Sequence, residues 1–165
     1  MSNINLSGLD ELNKEEKYKT VILQIVSLIS AEKNFIANIS NIVGALKSVF
    51  EHYNWVGFYF KDKEFSDELV LGPFQGKVAC TRLKTGKGVC GTAVERKETI
   101  IVDNVNDFPG HIFCDPNSRS EIVVPVVKDS KVIAVLDVDS DSYSAFDSTD
   151  KNFLEELILK ISYIF

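Results

Sequence analysis

Apolar residues recur at three- and four-residue steps in two stretches near the start of the chain, the spacing of one helix face. Over Glu11–Ile29 the stripe is Tyr18, Val21, Ile22, Ile25, Val26 and Ile29. Over Asn34–Phe50 it is Phe35, Ile36, Ile39, Ile42, Val43, Leu46 and Phe50. Both read as amphipathic helices, although Gly44 inside the second costs about 1 kcal/mol against alanine. Phe153, Leu154, Leu157, Ile158 and Ile161 repeat the spacing at the other end of the chain, where Asp147 or Ser148 would cap a last helix.

Between these helices the period drops to two. Trp55–Phe60, Glu68–Phe74 and Lys77–Leu83 are short, rich in β-branched and aromatic residues, and separated by turn residues, so they predict antiparallel strands. Lys61–Asp67 is the charged hairpin loop between the first two. A glycine-rich stretch, Gly86–Gly91, leads into a short helix ending near Lys97, and a small strand follows at Thr99–Val102. Asp103–Ser120 reads as a long loop, and loops of that length in compact domains usually carry function. Glu121–Val127 and Val132–Asp139 form a hairpin turned by Asp129 and Ser130. Helices at both ends of a run of strands predict an α+β fold, an antiparallel sheet with helices packed on it.

Composition narrows the functions open to such a fold. The 165 residues suit one domain, expected over 1–165 with residues 1–10 loosely ordered. With 45% hydrophobic and 25% charged residues the chain is globular, neither disordered nor fibrous. Eighteen basic against twenty-four acidic residues leave a formal charge of −6, which argues against nucleic acid as a partner. No apolar run approaches the roughly 18–20 residues of a membrane span, so no membrane insertion is expected. The first residues have neither a basic start nor an apolar run of the secretory kind. Three cysteines without a secretion signal point to a reducing compartment, and the cytoplasm is the expected location.

The thiols offer several chemistries. Gly86-Lys87-Gly88-Val89-Cys90-Gly91 fits G-x-G-x-x-G but lacks the strand–helix–strand setting and the later acidic residue of a dinucleotide site. It reads as a tight loop entering a helix, which places Cys90 where the helix dipole favours thiolate. Cys80, Cys90 and Cys114 form no C-x-x-C, though His111 and Cys114 make an H-x-x-C pair. Structural zinc sites usually use two tight knuckles and this chain offers at most one, so a zinc protein stays a lesser alternative and no metal or cofactor is expected. Cys80 suits a core thiol on a strand, whereas Cys114 lies in the long loop, and such a pairing suggests an attacking and a resolving thiol.

The acids and aromatics form a second group. Alternation puts Ile133, Val135, Asp137 and Asp139 on one strand face, which turns from apolar to acidic, with Ala134, Leu136 and Val138 opposite. Hairpin pairing would bring Glu121 beside the same end. Three like charges so close call for a cation or a proton among them, unless the strand end is splayed and solvated. Trp55, Gly57 and Tyr59 share a face of the first strand, and the glycine between two rings leaves a gap that a small ligand could fill.

Asn54-Trp55-Val56-Gly57-Phe58-Tyr59 and Leu69-Val70-Leu71-Gly72-Pro73-Phe74-Gln75-Gly76-Lys77-Val78-Ala79-Cys80 resemble the free methionine-(R)-sulfoxide reductases, enzymes built on a GAF domain. The resemblance continues through Gly88-Val89-Cys90-Gly91-Thr92-Ala93, Gly110-His111-Ile112-Phe113-Cys114-Asp115, Ser120-Glu121-Ile122-Val123 and Val135-Leu136-Asp137-Val138-Asp139-Ser140. It implies a GAF fold with a six-stranded antiparallel sheet flanked by helices, often as a homodimer. It further implies Cys114 as nucleophile, Cys80 as principal resolving cysteine and Cys90 as an auxiliary third thiol. Trp55 and Tyr59 would hold the methyl-sulfoxide end of the substrate. Glu121, Asp137 and Asp139 would bind the free amino acid and assist proton transfer, and thioredoxin would recycle the resulting disulfide. The R preference rests on the resemblance alone. Lys61–Asp67 is longer than the family pattern, a departure confined to the hairpin tip. The competing expectation is a non-catalytic GAF module that senses a small ligand or oxidant.

Overall fold

The computed structural model describes residues 8–65, 67–112 and 114–165. Helix α1 spans Lys14–Ser30 and α2 spans Phe35–Val49. The periodic stripe expected from Glu11 therefore becomes helical three residues later, because Asn13 caps the helix. Its side chain accepts from the Glu16 N–H while the Glu16 carboxylate accepts from the Asn13 N–H, satisfying two donors a helix start leaves open. Of the segment expected to be loosely ordered, residues 1–7 lie outside the described residues, while Leu9 is buried in a single 3-10 turn, Leu9–Glu11.

Six strands follow: β1 Trp55–Lys61, β2 Glu68–Gln75, β3 Arg82–Lys84, β4 Ile100–Val102, β5 Ser120–Lys128 and β6 Lys131–Ser140. They form one antiparallel sheet in the order β3-β2-β1-β6-β5-β4. Helix α3, Gly88–Arg96, lies between β3 and β4, and α4, Ser148–Ile161, closes the fold. Asp147 caps α4, accepting from the Thr149 and Asp150 N–H groups. The β5–β6 connection places Asp129 and Ser130 at φ 50° and 61°, the doubly positive geometry whose twist matches a two-residue hairpin.

The strand expected at Lys77–Leu83 shrinks to Arg82–Lys84, and residues 77–81 form a strap outside the sheet. The carbonyls that a strand would offer its neighbour are taken by side chains instead. Trp55 Nε1 donates to the Lys77 carbonyl and Tyr59 Oη to the Cys80 carbonyl, each at 3.0 Å.

The two faces of the sheet carry different layers. Val56, Phe58, Ile122, Val124, Ala134, Leu136 and Val138 pack against α1, α2 and α4 in the larger core, as alternation requires. Each buried aliphatic or aromatic side chain there contributes about 1.5–3 kcal/mol. Within this layer Tyr18 Oη donates to Asp150 Oδ1 at 2.7 Å, Tyr53 Oη bonds to Tyr18 Oη, and Lys14 pairs with the other Asp150 oxygen. On the opposite face Tyr59, Leu69, Val123 and Val135 meet Val89, Ala93 and Val94 of α3. That smaller layer stops short at one end, where the chemistry-bearing residues gather.

Candidate active site

Register decides which side chains meet. Pairing of β5 with β6 sets Glu121 opposite Asp139 and Val123 opposite Asp137. Pairing of β1 with β6 sets Trp55 opposite Asp139 and Gly57 opposite Asp137. The three acids and the two aromatics therefore share one face at one end of the sheet, and the solvated strand end considered above is excluded. Glu121 and Asp137 are only 6% and 7% exposed. Together with Trp55, Tyr59, Cys90, His111 and Cys114 they line a cleft of about 550 Å³, counting its open mouth. Exposed Val78 and Ile112 stand at its rim.

Burial and crowding make these acids easier to protonate than exposed carboxyl groups. Burial first, then the neighbouring acid charges, push Glu121, Asp137 and Asp139 well above the usual carboxylate range. Ser118 opposes this slightly by hydrogen bonding to Asp139. His111 Nε2 lies 3.3 Å from Glu121 Oε2. Burial holds the His111 imidazole below its usual range, which works against the charged form that an ion pair with Glu121 needs.

The three cysteines divide into two environments. Cys80 on the strap and Cys114 in the long loop form a disulfide with their Cα atoms 5.5 Å apart, bridging 34 residues of sequence. Lys77 and Asp115 tie the same two segments by an ion pair at 3.1 Å. The alternative of three cysteines and His111 around zinc is not formed, since two of the sulfurs bond to each other. Cys80 is also not the core strand thiol its apolar surroundings suggested. Cys90 lies in the first turn of α3, 4% exposed, and its thiol is pushed well up by burial, then by Asp137 and Glu121. A helix dipole supplies typically about 0.3–1 kcal/mol at a surface position, and here burial and like charges outweigh it. The thiolate expected at Cys90 is therefore corrected to a thiol.

The gap expected at Gly57 is occupied from within the protein. A Cβ there would lie 2.5 Å from Phe74 Cβ and 2.5 Å from Trp55 Cη2. Trp55 stacks on Phe74 at 5.4 Å between centroids and on Tyr59 at 6.0 Å, so the glycine makes room for the tryptophan ring rather than for a ligand. Among the described residues, one group could hold a metal ion: Cys90 Sγ and carboxylate oxygens of Glu121 and Asp137, all within 4.8 Å of one another. Lys77 and Asp115 lie within the quoted motifs, but neither their pairing nor the place of Ser118 had a signal there, because loop and strap meet only through the tertiary fold.

Comparison with known proteins is consistent with this arrangement. The GAF domain family model matches residues 38–163. The chain is 48% identical over 160 residues to a free methionine-R-sulfoxide reductase of Saccharomyces cerevisiae, covering 94% of this chain and 88% of that protein. It is 40% identical over 153 residues to a free methionine-R-sulfoxide reductase of Escherichia coli, covering 93% and 91%. Its fold is similar to that of free methionine-R-sulfoxide reductase from Neisseria meningitidis in complex with its substrate, with a TM-score of 0.93, 43% identity, and 100% and 96% of the two chains covered.

Proposed function

The chain belongs to the GAF-domain family and, within it, to the free methionine-R-sulfoxide reductases, and from that membership and its cleft we infer that it reduces free L-methionine-(R)-sulfoxide to methionine by thiol chemistry. It is an oxidoreductase. The observation that carries the reading is the meeting, at one cleft, of a cysteine pair close enough to form a disulfide and three acids whose burial raises their hold on protons.

Reduction of a sulfoxide needs a nucleophile at sulfur and an acid at oxygen. We assign the nucleophile to Cys114, which lines the cleft, and the acid to the Glu121, Asp137 and Asp139 cluster. Attack by the Cys114 thiolate with protonation of the oxygen transfers that oxygen to cysteine, so methionine leaves and Cys114 becomes a sulfenic acid. The Cys80 thiol then displaces water to give the Cys80–Cys114 disulfide. Cys90, buried and protonated, is an auxiliary thiol that hydrogen bonds to Asp137. Binding of the substrate ammonium favours ionisation of one acid while the crowding keeps another protonated, so one cluster serves both tasks. An amide-linked methionine lacks that ammonium charge, which supports selectivity for the free amino acid. Trp55 and Tyr59 would wall the methyl-sulfoxide end.

The disulfide must be reduced for another turnover, and a thioredoxin would do so by exchange. That need supports a reducing compartment, the cytoplasm, as the working location, in keeping with the lack of a helix long and apolar enough to cross a membrane among the described residues. The family resemblance supports a homodimer. Incubation with racemic methionine sulfoxide and dithiothreitol or thioredoxin tests the reading. Free methionine should appear as the R epimer is consumed and the S epimer stays, and a peptide-linked sulfoxide should remain unchanged. Full retention of the R epimer would leave a GAF module that only senses its ligand.

A further inference from the structure

Cys90, Glu121 and Asp137 come from three different elements, α3, β5 and β6, yet their donor atoms lie within 4.8 Å of one another. All three are less than a tenth exposed and line the cleft. Asp137, 7% exposed, keeps Oδ1 without a hydrogen-bond partner among the described residues. A buried carboxylate oxygen left open is unfavourable, and a bound positive ligand relieves it. The reductase reading above uses the acids for an ammonium and assigns the Cys90 sulfur only an auxiliary part.

We propose that Cys90, Glu121 and Asp137 form an inhibitory site for a thiophilic divalent cation such as Zn²⁺ or Cd²⁺. The donor set selects the ion. One sulfur with two carboxylate oxygens suits zinc and its softer relatives, whereas magnesium and calcium prefer oxygen alone. Donor atoms around a tetrahedral zinc stand roughly 2.0–2.3 Å from the metal, so the present spacing closes by small side-chain movements. Three protein ligands leave a fourth position, which faces the cleft or is taken by the His111 imidazole beside Glu121. A cation held here occupies the acids that would receive the substrate ammonium, so metal and substrate exclude each other. That last consequence rests on the reductase reading, whereas the binding itself does not.

The oxidised protein isolates the question, because Cys80 and Cys114 are then tied to each other and Cys90 is the remaining thiol. Titration with Cd²⁺ should give thiolate-to-cadmium charge-transfer absorption saturating at one ion per chain. Cys90→Ser should abolish the absorption. Asp137→Asn and Glu121→Gln, followed by calorimetric titration with Zn²⁺, should each weaken binding at least about tenfold, since loss of an outer-sphere partner alone costs about 10–100-fold. Circular dichroism establishes that each variant is folded. Absence of the absorption, or binding indifferent to Asp137→Asn and Glu121→Gln, overturns the site. Free methionine should displace the ion. Cadmium binding at Cys90 that methionine does not displace keeps the metal site and counts against the ammonium role of the acids.

Discussion

A methyl group added at Gly57 would meet Phe74 Cβ and the Trp55 ring, both at 2.5 Å, and neither neighbour is a flexible chain end. Gly57→Ala should therefore destabilise the protein by about 1–3 kcal/mol in urea unfolding, and it should raise KM for the sulfoxide because the Trp55 ring is displaced. Gly91→Ala meets the Lys84 backbone oxygen at 2.2 Å and should cost at least as much, moving α3 and Cys90 away from β3. Alternation along β1 was enough to place Trp55, Gly57 and Tyr59 on one face. It could not reveal what fills the space over the glycine, since that depends on where the tryptophan ring and a residue of another strand come to rest. Cys90 teaches the same lesson: its place in the first turn of α3 was legible, but its burial against Asp137 and Glu121 was not. At the same scale, Cys114→Ser should abolish methionine release in a single turnover while Cys90→Ser retains it. The opposite pattern would transfer the nucleophile's role to Cys90.

Among the elements, the helices and the β5–β6 hairpin were the most legible, because the larger core is built from unbroken stripes and from strict alternation. Alternation set Asp137 and Asp139 on one face, and hairpin pairing brought Glu121 beside that strand end, so most of the acid cluster was legible in the sequence. The strap at residues 77–81 was not legible, since its carbonyls are claimed by Trp55 and Tyr59 side chains from another strand. The helical layer carries its own polar test. Tyr18→Phe strips Asp150 of a buried donor and Tyr53 of its partner, and should cost about 1–3 kcal/mol in equilibrium unfolding. Tyr53→Phe leaves the Tyr18 bond to Asp150 in place and should cost less. Both variants should turn over substrate normally, because the network lies across the sheet from the cleft.

For the whole molecule, the buried acids give stability a distinctive dependence on pH. Glu121, Asp137 and Asp139 hold protons more tightly folded than unfolded, so the native state binds more protons above the ordinary carboxylate range of about 4. Their contribution is fully present below that range and is lost as pH rises through the elevated folded values. Asp147 acts oppositely: against the burial that would raise it, Lys14 and two backbone N–H groups hold it at about 2. Thermal melts should therefore show Asp137→Asn less sensitive than the parent chain to a rise from about pH 5 to about pH 8, a comparison in which Asp147 cancels. An unchanged slope would mean that Asp137 holds its proton no more tightly in the folded chain than in the unfolded one. The most direct test of the account is one turnover without a recycling reductant. Fully reduced protein mixed with an equimolar amount of free methionine-(R)-sulfoxide should yield one methionine and one Cys80–Cys114 disulfide per chain, located by peptide mapping, with Cys90 still a thiol. Methionine formed with Cys90 oxidised and Cys80 and Cys114 still reduced, or no methionine at all, would contradict it.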